Sequence, residues 1–150
     1  MRAFLKYWLP VVIWLGVIFA GSTDVLSAEH TSRFLVPFLR WLDPHISLVA
    51  INSIQSVIRK LGHLIEYAIL AALFWWALRG GTNLGTKKMS LLFIAVWFVC
   101  GIFAVSDEFH QSFVASRTAS SHDVLIDVCG ALIGTVLCLT FSPRRLTRSR

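Results

Sequence analysis

The chain has 150 residues, of which 56% are hydrophobic and 15% charged, and its mean hydropathy is +0.70. This composition excludes an ordinary soluble domain and indicates an integral membrane protein with a single domain spanning residues 1–150. The formal net charge of +6 could suit nucleic acid, but the charges are distributed by position as in a membrane protein, so we expect no nucleic-acid partner.

Four apolar runs bounded by polar clusters are long enough to cross a bilayer. They cover residues 5–21, 61–78, 89–105 and 124–141. The sequence therefore predicts an all-α membrane protein with four transmembrane helices. The first run has an alternative interpretation as a cleaved signal peptide, because Arg2 and Lys6 precede it. An uncleaved span is the simpler prediction.

The segment between the first two spans is only partly interpretable. Residues 34–42 are apolar with a few charges and a tryptophan, which predicts a short helix in the outer membrane interface. Asp43 and Pro44 should end it, because the residue before a proline avoids the α region. Residues 46–59 mix branched apolar side chains with Asn, Gln and Ser. They predict either another interfacial helix or an extension of span two, and the pattern leaves both open.

The basic residues predict an orientation. Nine of the fourteen lysines and arginines fall on one side of the predicted bundle, which should be cytoplasmic. Both termini then lie in the cytoplasm and residues 109–122 lie outside. All acidic residues and all histidines fall on the outer side. The nine basic residues are Arg2, Lys6, Arg79, Lys87, Lys88, Arg144, Arg145, Arg148 and Arg150.

Ionisable residues lie within or next to spans two, three and four at a similar depth, although an Asp, Lys or Arg costs about 2.5–3.5 kcal/mol at the centre of a membrane helix. Residues three, four and seven apart share a helix face. The resulting stripes are Lys60, His63 and Tyr67 with Glu66 in span two, Asp107, His110 and Gln111 in span three, and Asp123, Asp127, Gly130 and Gly134 in span four. The two glycines allow a neighbouring helix to approach, so we expect the stripes to meet in one pocket open to the outside.

These side chains offer two kinds of chemistry. Acid–base catalysis or ligation of a divalent metal could use His63, Glu66, Asp107, Glu108, His110, Asp123 and Asp127, with His63, Glu66, Asp107 and His110 as the metal candidates. Substrate binding could use Arg59, Lys60, Tyr67, Gln111 and Arg117, whose cations suit a phosphate or carboxylate. Two alternatives remain open: a purely structural network that locks three helices together, and an ion pathway.

The polar segments also carry a family resemblance. The motifs are Arg59-Lys60-x-Gly62-His63-x-x-Glu66-Tyr67, then Ser106-Asp107-Glu108-x-His110-Gln111-x-Phe113-Val114-x-x-Arg117, Asp123-Val124-x-x-Asp127 and Gly130-x-x-x-Gly134. In this order they resemble the VanZ-like family of bacterial membrane proteins, whose founding member is associated with low-level resistance to the glycopeptide teicoplanin. The resemblance implies a multi-pass protein of a bacterial cytoplasmic membrane with a role at the cell envelope, but it implies no established reaction.

Residues and resemblance together predict a pocket that binds or acts on an anionic molecule, either lipid-linked or related to the cell wall. The expected partners are membrane lipids and a lipid-linked cell-wall precursor or lipoglycopeptide. In an enzyme, Glu66, Asp107 or His110 would serve as acid or base, while Lys60 and Arg117 would hold the anion. The alternatives are a non-catalytic binding or scaffold protein and, third, a small transporter. The sequence leaves enzymatic activity, cofactor and oligomeric state open.

Overall fold

The computed structural model describes residues 2–23, 28–80, 89–115, 117 and 120–141, and this part of the chain is built from helices. They are α1 (Arg2–Ser22), α2 (Ala28–Leu42), α3 (Leu48–Gly80), α4 (Met89–Gln111) and α5 (Ser121–Phe141). Four of them, α1, α3, α4 and α5, are long and apolar enough to cross a membrane. The prediction of an all-α membrane protein with four spans and a shorter helix between the first two is therefore confirmed.

Helix α3 resolves the alternatives for residues 46–59. It is one continuous helix of 33 residues, about 50 Å long, whereas about 20 residues suffice to cross a bilayer. Ser47 marks its start, because the Ser47 hydroxyl accepts a hydrogen bond from the amide of Ala50 at 3.2 Å, as an N-cap does. The segment is thus an extension of span two, and its polar side chains belong to the same helix as His63.

Helix α2 ends at Leu42, directly before Asp43 and Pro44, as predicted. Its apolar side chains are largely uncovered, with Phe34 82% and Trp41 77% exposed. Such an amphipathic helix suits the membrane interface. Among the described helices, α2 packs only against α3.

The bundle is organised around α3, which packs against each of the other four helices. Helix α5 lies along it in close contact. A Cβ atom at Gly130 would collide with the carbonyl oxygen of Leu64, and one at Gly134 with that of Ala68. The contact partners advance in step along both helices, so α5 runs parallel to α3. Small residues permit this approach of two backbones, as the sequence predicted for the glycine stripe.

The helices extend beyond the predicted apolar runs, for example on both sides of the connection between α4 and α5. Helix α4 continues to Gln111, six residues past the predicted end, and α5 begins at Ser121, three residues before the predicted start. Apolarity defines where a helix is lipid-compatible but not where its hydrogen bonding stops, which explains both differences. The basic residues Lys87 and Lys88 and those after Phe141 lie outside the described residues. The predicted orientation therefore stays a prediction.

Candidate functional site

Three helices bring buried ionisable side chains together at one end of the bundle. We define the buried polar cluster as His63 of α3, Asp107 and Glu108 of α4, and Asp123 and Asp127 of α5. His63 Nδ1 lies 3.0 Å from Asp127 Oδ1. Potential ligand atoms of His63, Asp107 and Asp127 lie within 4.8 Å of one another, and the same holds for His63, Glu108 and Asp123.

Arg59 and Ser120, which lie outside the cluster, bind the carboxylates of Asp123 and Glu108. Asp123 Oδ2 accepts a hydrogen bond from Arg59 Nη2 at 2.5 Å. Arg59 lies on α3, one helical turn before His63. Glu108 Oε2 accepts the backbone amide of Ser120 at 2.7 Å. The spacing of four residues from Arg59 to His63 matches that from Asp123 to Asp127. Two parallel helices in register therefore form an arginine–carboxylate pair and an adjacent histidine–carboxylate pair.

Helix α1 contributes a residue that the sequence analysis did not select. The hydroxyl of Ser22 contacts Asp107 Oδ1, and Gln111 Nε2 donates to Asp107 Oδ2 at 3.0 Å. Asp107 and Gln111 are one turn apart, as their spacing predicted. Ser22 is 3% exposed, so this end of α1 is built into the cluster. Its position as a polar residue at the end of an apolar span was the available signal.

A pocket of about 570 Å³ opens beside the cluster. Five predicted candidates line it: Arg59, His63, Glu66, Gln111 and Arg117. Further walls come from the ends of α1 and from α2 and the extension of α3, namely Gly21, Ser22, Thr31, Leu35, Asn52, Gln55, Ser56, Ile58 and Gly62. The pocket thus joins the buried polar cluster to the amphipathic helix α2.

Two amide groups in the pocket wall have unused hydrogen-bonding atoms. Within the described part of the chain, Gln55 Nε2 is buried without an acceptor and Gln111 Oε1 is buried without a donor. A buried polar group without a partner costs about 1–3 kcal/mol. These atoms are therefore ready to bind water or a ligand that enters the pocket.

Arg117 lines the pocket, but its contacts differ from the predicted role. Its Nη2 donates to the carbonyl oxygen of Gly21 and, at 3.0 Å, to that of Thr23, while Nε donates to Thr23 at 3.2 Å. The end of an α-helix carries unsatisfied carbonyls and a partial negative charge. Arg117 therefore stabilises the end of α1.

The comparisons with known proteins identify the family. Residues 7–142 match VanZ/LLP1. The chain belongs to the VanZ/LLP1 family. An uncharacterized protein of Schizosaccharomyces pombe is 28% identical over 92 residues, which are 61% of this chain and 52% of the relative, so the chain spans about half the length of the relative that it matches. No solved structure matches the chain.

VanZ/LLP1 membership confirms the predicted VanZ-like resemblance and a membrane protein with several spans. It does not identify a reaction or a substrate. The relative from yeast shows that similarity to this chain extends outside bacteria, so a bacterial origin stays a prediction.

Seven of the twelve candidates on the VanZ/LLP1 motifs do not line the pocket. Four of these belong to the buried polar cluster beside it, and the other three are Lys60, Tyr67 and His110. Lys60 is exposed and lines neither cavity described here. Tyr67 and His110 line a second cavity of about 490 Å³ together with Asp107. The His110 ring lies against Phe19 of α1, with ring centroids 4.6 Å apart. The stripes therefore do not all meet in one pocket. Asp107 and His110 line the second cavity, where His110 packs against α1, whereas Gln111 lines the first.

Proposed function

We propose that this VanZ/LLP1 protein binds an anionic, lipid-linked molecule in the pocket beside the buried polar cluster. The observation that carries the proposal is Gln55 Nε2, a buried donor without an acceptor among the described residues, in the same pocket wall as Arg59. Asn52 and Ser56 add further polar groups on the same face of α3. A phosphate or carboxylate supplies the acceptors that these donors lack.

Arg59 is the cation best placed to meet the anion. Its side chain is 31% exposed and lines the pocket, while Nη2 contacts Asp123. A guanidinium has five N–H donors in a fixed fork, so one carboxylate contact leaves donors for a second oxygen ligand. Asp123 fixes the orientation of the group before a ligand arrives.

Helix α2 supports a ligand with a lipid tail. Thr31 and Leu35 of α2 line the pocket, and the same helix exposes large apolar side chains such as Phe34 and Trp41. An interfacial helix of this kind lies at the depth of lipid headgroups. A lipid-linked cell-wall precursor or a lipoglycopeptide would present its anionic group at that depth, with its tail in the bilayer.

Binding of dodecyl phosphate to the purified protein in a neutral detergent tests the proposal. Arg59→Gln should weaken binding by about 10-fold or more, because a hydrogen bond to a charged group contributes about 1.5–3 kcal/mol. Arg40→Gln is the matched control, since Arg40 is an exposed arginine of α2 outside the pocket. Equal affinity of the wild type for dodecyl phosphate and for a neutral dodecyl glycoside would contradict the proposal.

The proposal places the protein in a bacterial cytoplasmic membrane with both termini inside and the pocket facing outward. Ser112 lies just after α4, is exposed and belongs to the pocket end of the bundle. In a variant lacking the native cysteines, Ser112→Cys should react with an impermeant maleimide in intact cells. Labelling only after permeabilisation would show that the protein has the opposite orientation.

A substitution at Glu66 can distinguish a pocket that binds or acts on a ligand from a cluster that is only structural. Its side chain lines the pocket, and none of the side-chain hydrogen bonds found in the described residues engages its carboxylate. Glu66→Gln should leave the unfolding temperature unchanged. If the pocket acts on a glycopeptide or its target, the variant should lose any change in teicoplanin susceptibility that the wild type confers on a bacterial host.

A structural scaffold is the second candidate, and the contacts between helices favour it. Ser22 with Asp107 joins α1 to α4, while Arg59 with Asp123 and His63 with Asp127 join α3 to α5. In that case the polar groups hold the bundle together and no ligand is required. This candidate would be favoured if the wild-type protein neither changed the teicoplanin susceptibility of the bacterial host nor bound dodecyl phosphate.

A further inference from the structure

We infer that the buried polar cluster holds one divalent transition-metal ion between His63, Asp107 and Asp127. The three residues come from three different helices and offer ligand atoms within 4.8 Å of one another. Metal–ligand bonds of about 2.1 Å put opposite ligands about 4.2 Å apart, so small side-chain movements would complete the coordination. This inference does not depend on the anionic ligand proposed above.

The charge of the cluster supports a divalent cation. The carboxylates of Asp107, Glu108, Asp123 and Asp127 are all buried. Arg59 contacts one of them, and His63 contacts another. A histidine that ligates a metal is neutral, so four ionised carboxylates against Arg59 alone leave a formal charge of −3. Buried charges require pairing or metal coordination, and one divalent ion would neutralise two of these three charges.

An unpartnered oxygen provides independent support. Asp127 has no exposed surface, and no donor within the described residues reaches its Oδ2, although Oδ1 is 3.0 Å from His63. A carboxylate oxygen buried without a donor costs free energy that a metal ion would recover. By contrast, both oxygens of Asp107 are oriented by Ser22 and Gln111. Such outer contacts are typical of residues that ligate a metal.

The other possible ligand set is less suited. It combines His63 with Glu108 and Asp123. Glu108 Oε1 is also buried without a donor among the described residues, but Asp123 pairs with Arg59. An arginine directly on a ligand carboxylate competes with the cation for it. The set with Asp107 and Asp127 has no arginine contact among the described residues, which is why we assign the ion to it.

The ligand types define the class of metal. One imidazole with two carboxylates suits Zn²⁺ or Mn²⁺, whereas an all-oxygen set would suit Mg²⁺ or Ca²⁺. His63 also lines the pocket, while Asp127 is buried away from it. An ion held by three protein ligands keeps further coordination positions for water or a ligand oxygen. These positions would be reached from the pocket side of His63.

Metal analysis of the purified full chain tests the inference. After chelator treatment and dialysis against Mn²⁺ or Zn²⁺, the wild type should retain about one ion per chain, because a preformed site binds with high affinity. Asp127→Asn and Asp107→Asn should weaken binding by about 10-fold or more. The matched control is Asp43→Asn, which makes the same chemical change in the exposed turn after α2 and should bind as the wild type does.

Spectroscopy of the Mn²⁺-loaded wild type keeps the test independent of variants that fail to fold. Pulsed electron paramagnetic resonance should show coupling to the nitrogen of one imidazole, and His63→Gln should abolish it. Absence of bound metal in the wild type would overturn the inference, because the cluster would then balance its charge by binding protons. Binding without nitrogen coupling, or binding unchanged in both aspartate variants, would also overturn it.

Discussion

The interface between α3 and α5 has two halves that use opposite means of packing. In the polar half, Arg59 pairs with Asp123 and His63 with Asp127, so side chains fill the space between the helices. In the glycine half, Gly130 and Gly134 leave no room for even a Cβ atom, so the backbones touch. The two halves adjoin on the same parallel pair of helices.

The difference shows that one half of the interface holds the helices together, while the other half carries the side chains that could bind a ligand. Backbone contact at the glycines needs no charge and fixes the distance and register of the two helices. Once that register is set, Arg59 and His63 on α3 face Asp123 and Asp127 on α5. The polar half is therefore positioned by the glycine half, and its side chains need not supply the packing energy. Such residues are available for binding a ligand or an ion.

The largest effect should follow from filling the glycine half. Gly134→Ala places a Cβ against the carbonyl oxygen of Ala68, a backbone atom of a packed helix that cannot move aside. We expect a loss of about 3 kcal/mol in the free energy of unfolding, because overpacking costs about 1–3 kcal/mol and occasionally more. Unfolding in detergent, followed by circular dichroism, measures it.

Gly101→Ala is the matched control for this change. Gly101 also lies inside a span, but the nearest atom to a new Cβ is Val128 Cγ2 at an ordinary 4.0 Å. The control should be neutral or stabilising by up to about 1 kcal/mol, since alanine has the higher helix propensity. Equal stability of the two variants would show that the glycines do not set the register.

A double-mutant cycle on the polar half should give a smaller effect. His63→Gln and Asp127→Asn each remove one member of the 3.0 Å pair. In chelator-treated protein we expect a coupling energy of about 1–2 kcal/mol, within the range for residues in direct contact. A coupling larger than the loss in Gly134→Ala would reverse the comparison and make the polar half the main source of packing energy.

Much of the fold could be predicted because its causes are local. Apolar length defines the four spans, and Asp43 with Pro44 ends α2. The glycine stripe of α5 correctly predicted a close helix contact. The continuity of α3 was not predictable from apolarity, since polar residues interrupt the apolar ones in its first three turns. Their spacing at Asn52, Gln55, Ser56 and Arg59 does follow a helix face, and that periodicity was the missed signal.

The candidate site was predictable only to the level of helix faces. Spacing correctly placed Asp107 near both Gln111 and His110, but it did not show that these two line different cavities, with the His110 ring against Phe19 of α1. The difference arises because α1 packs against α4 at this point, and a sequence pattern within one helix does not reveal which neighbour covers each side. For the same reason, spacing gave no sign that Ser22 contacts the cluster.

The smallest expected effect is at Arg117. A substitution there tests whether this residue binds the anionic ligand or stabilises the end of α1. A lysine keeps the positive charge at the helix end but loses the fork that reaches the carbonyls of both Gly21 and Thr23. Arg117→Lys should therefore lower the free energy of unfolding by about 0.5–1 kcal/mol, the usual size of a helix-end interaction. Its affinity for dodecyl phosphate should stay unchanged, whereas Arg59→Lys should weaken that affinity at nearly constant stability. Weaker phosphate binding in Arg117→Lys with no loss of stability would return Arg117 to the anion-binding role predicted from sequence. The anion site would then centre on the loop after α4 instead of on the polar face of α3.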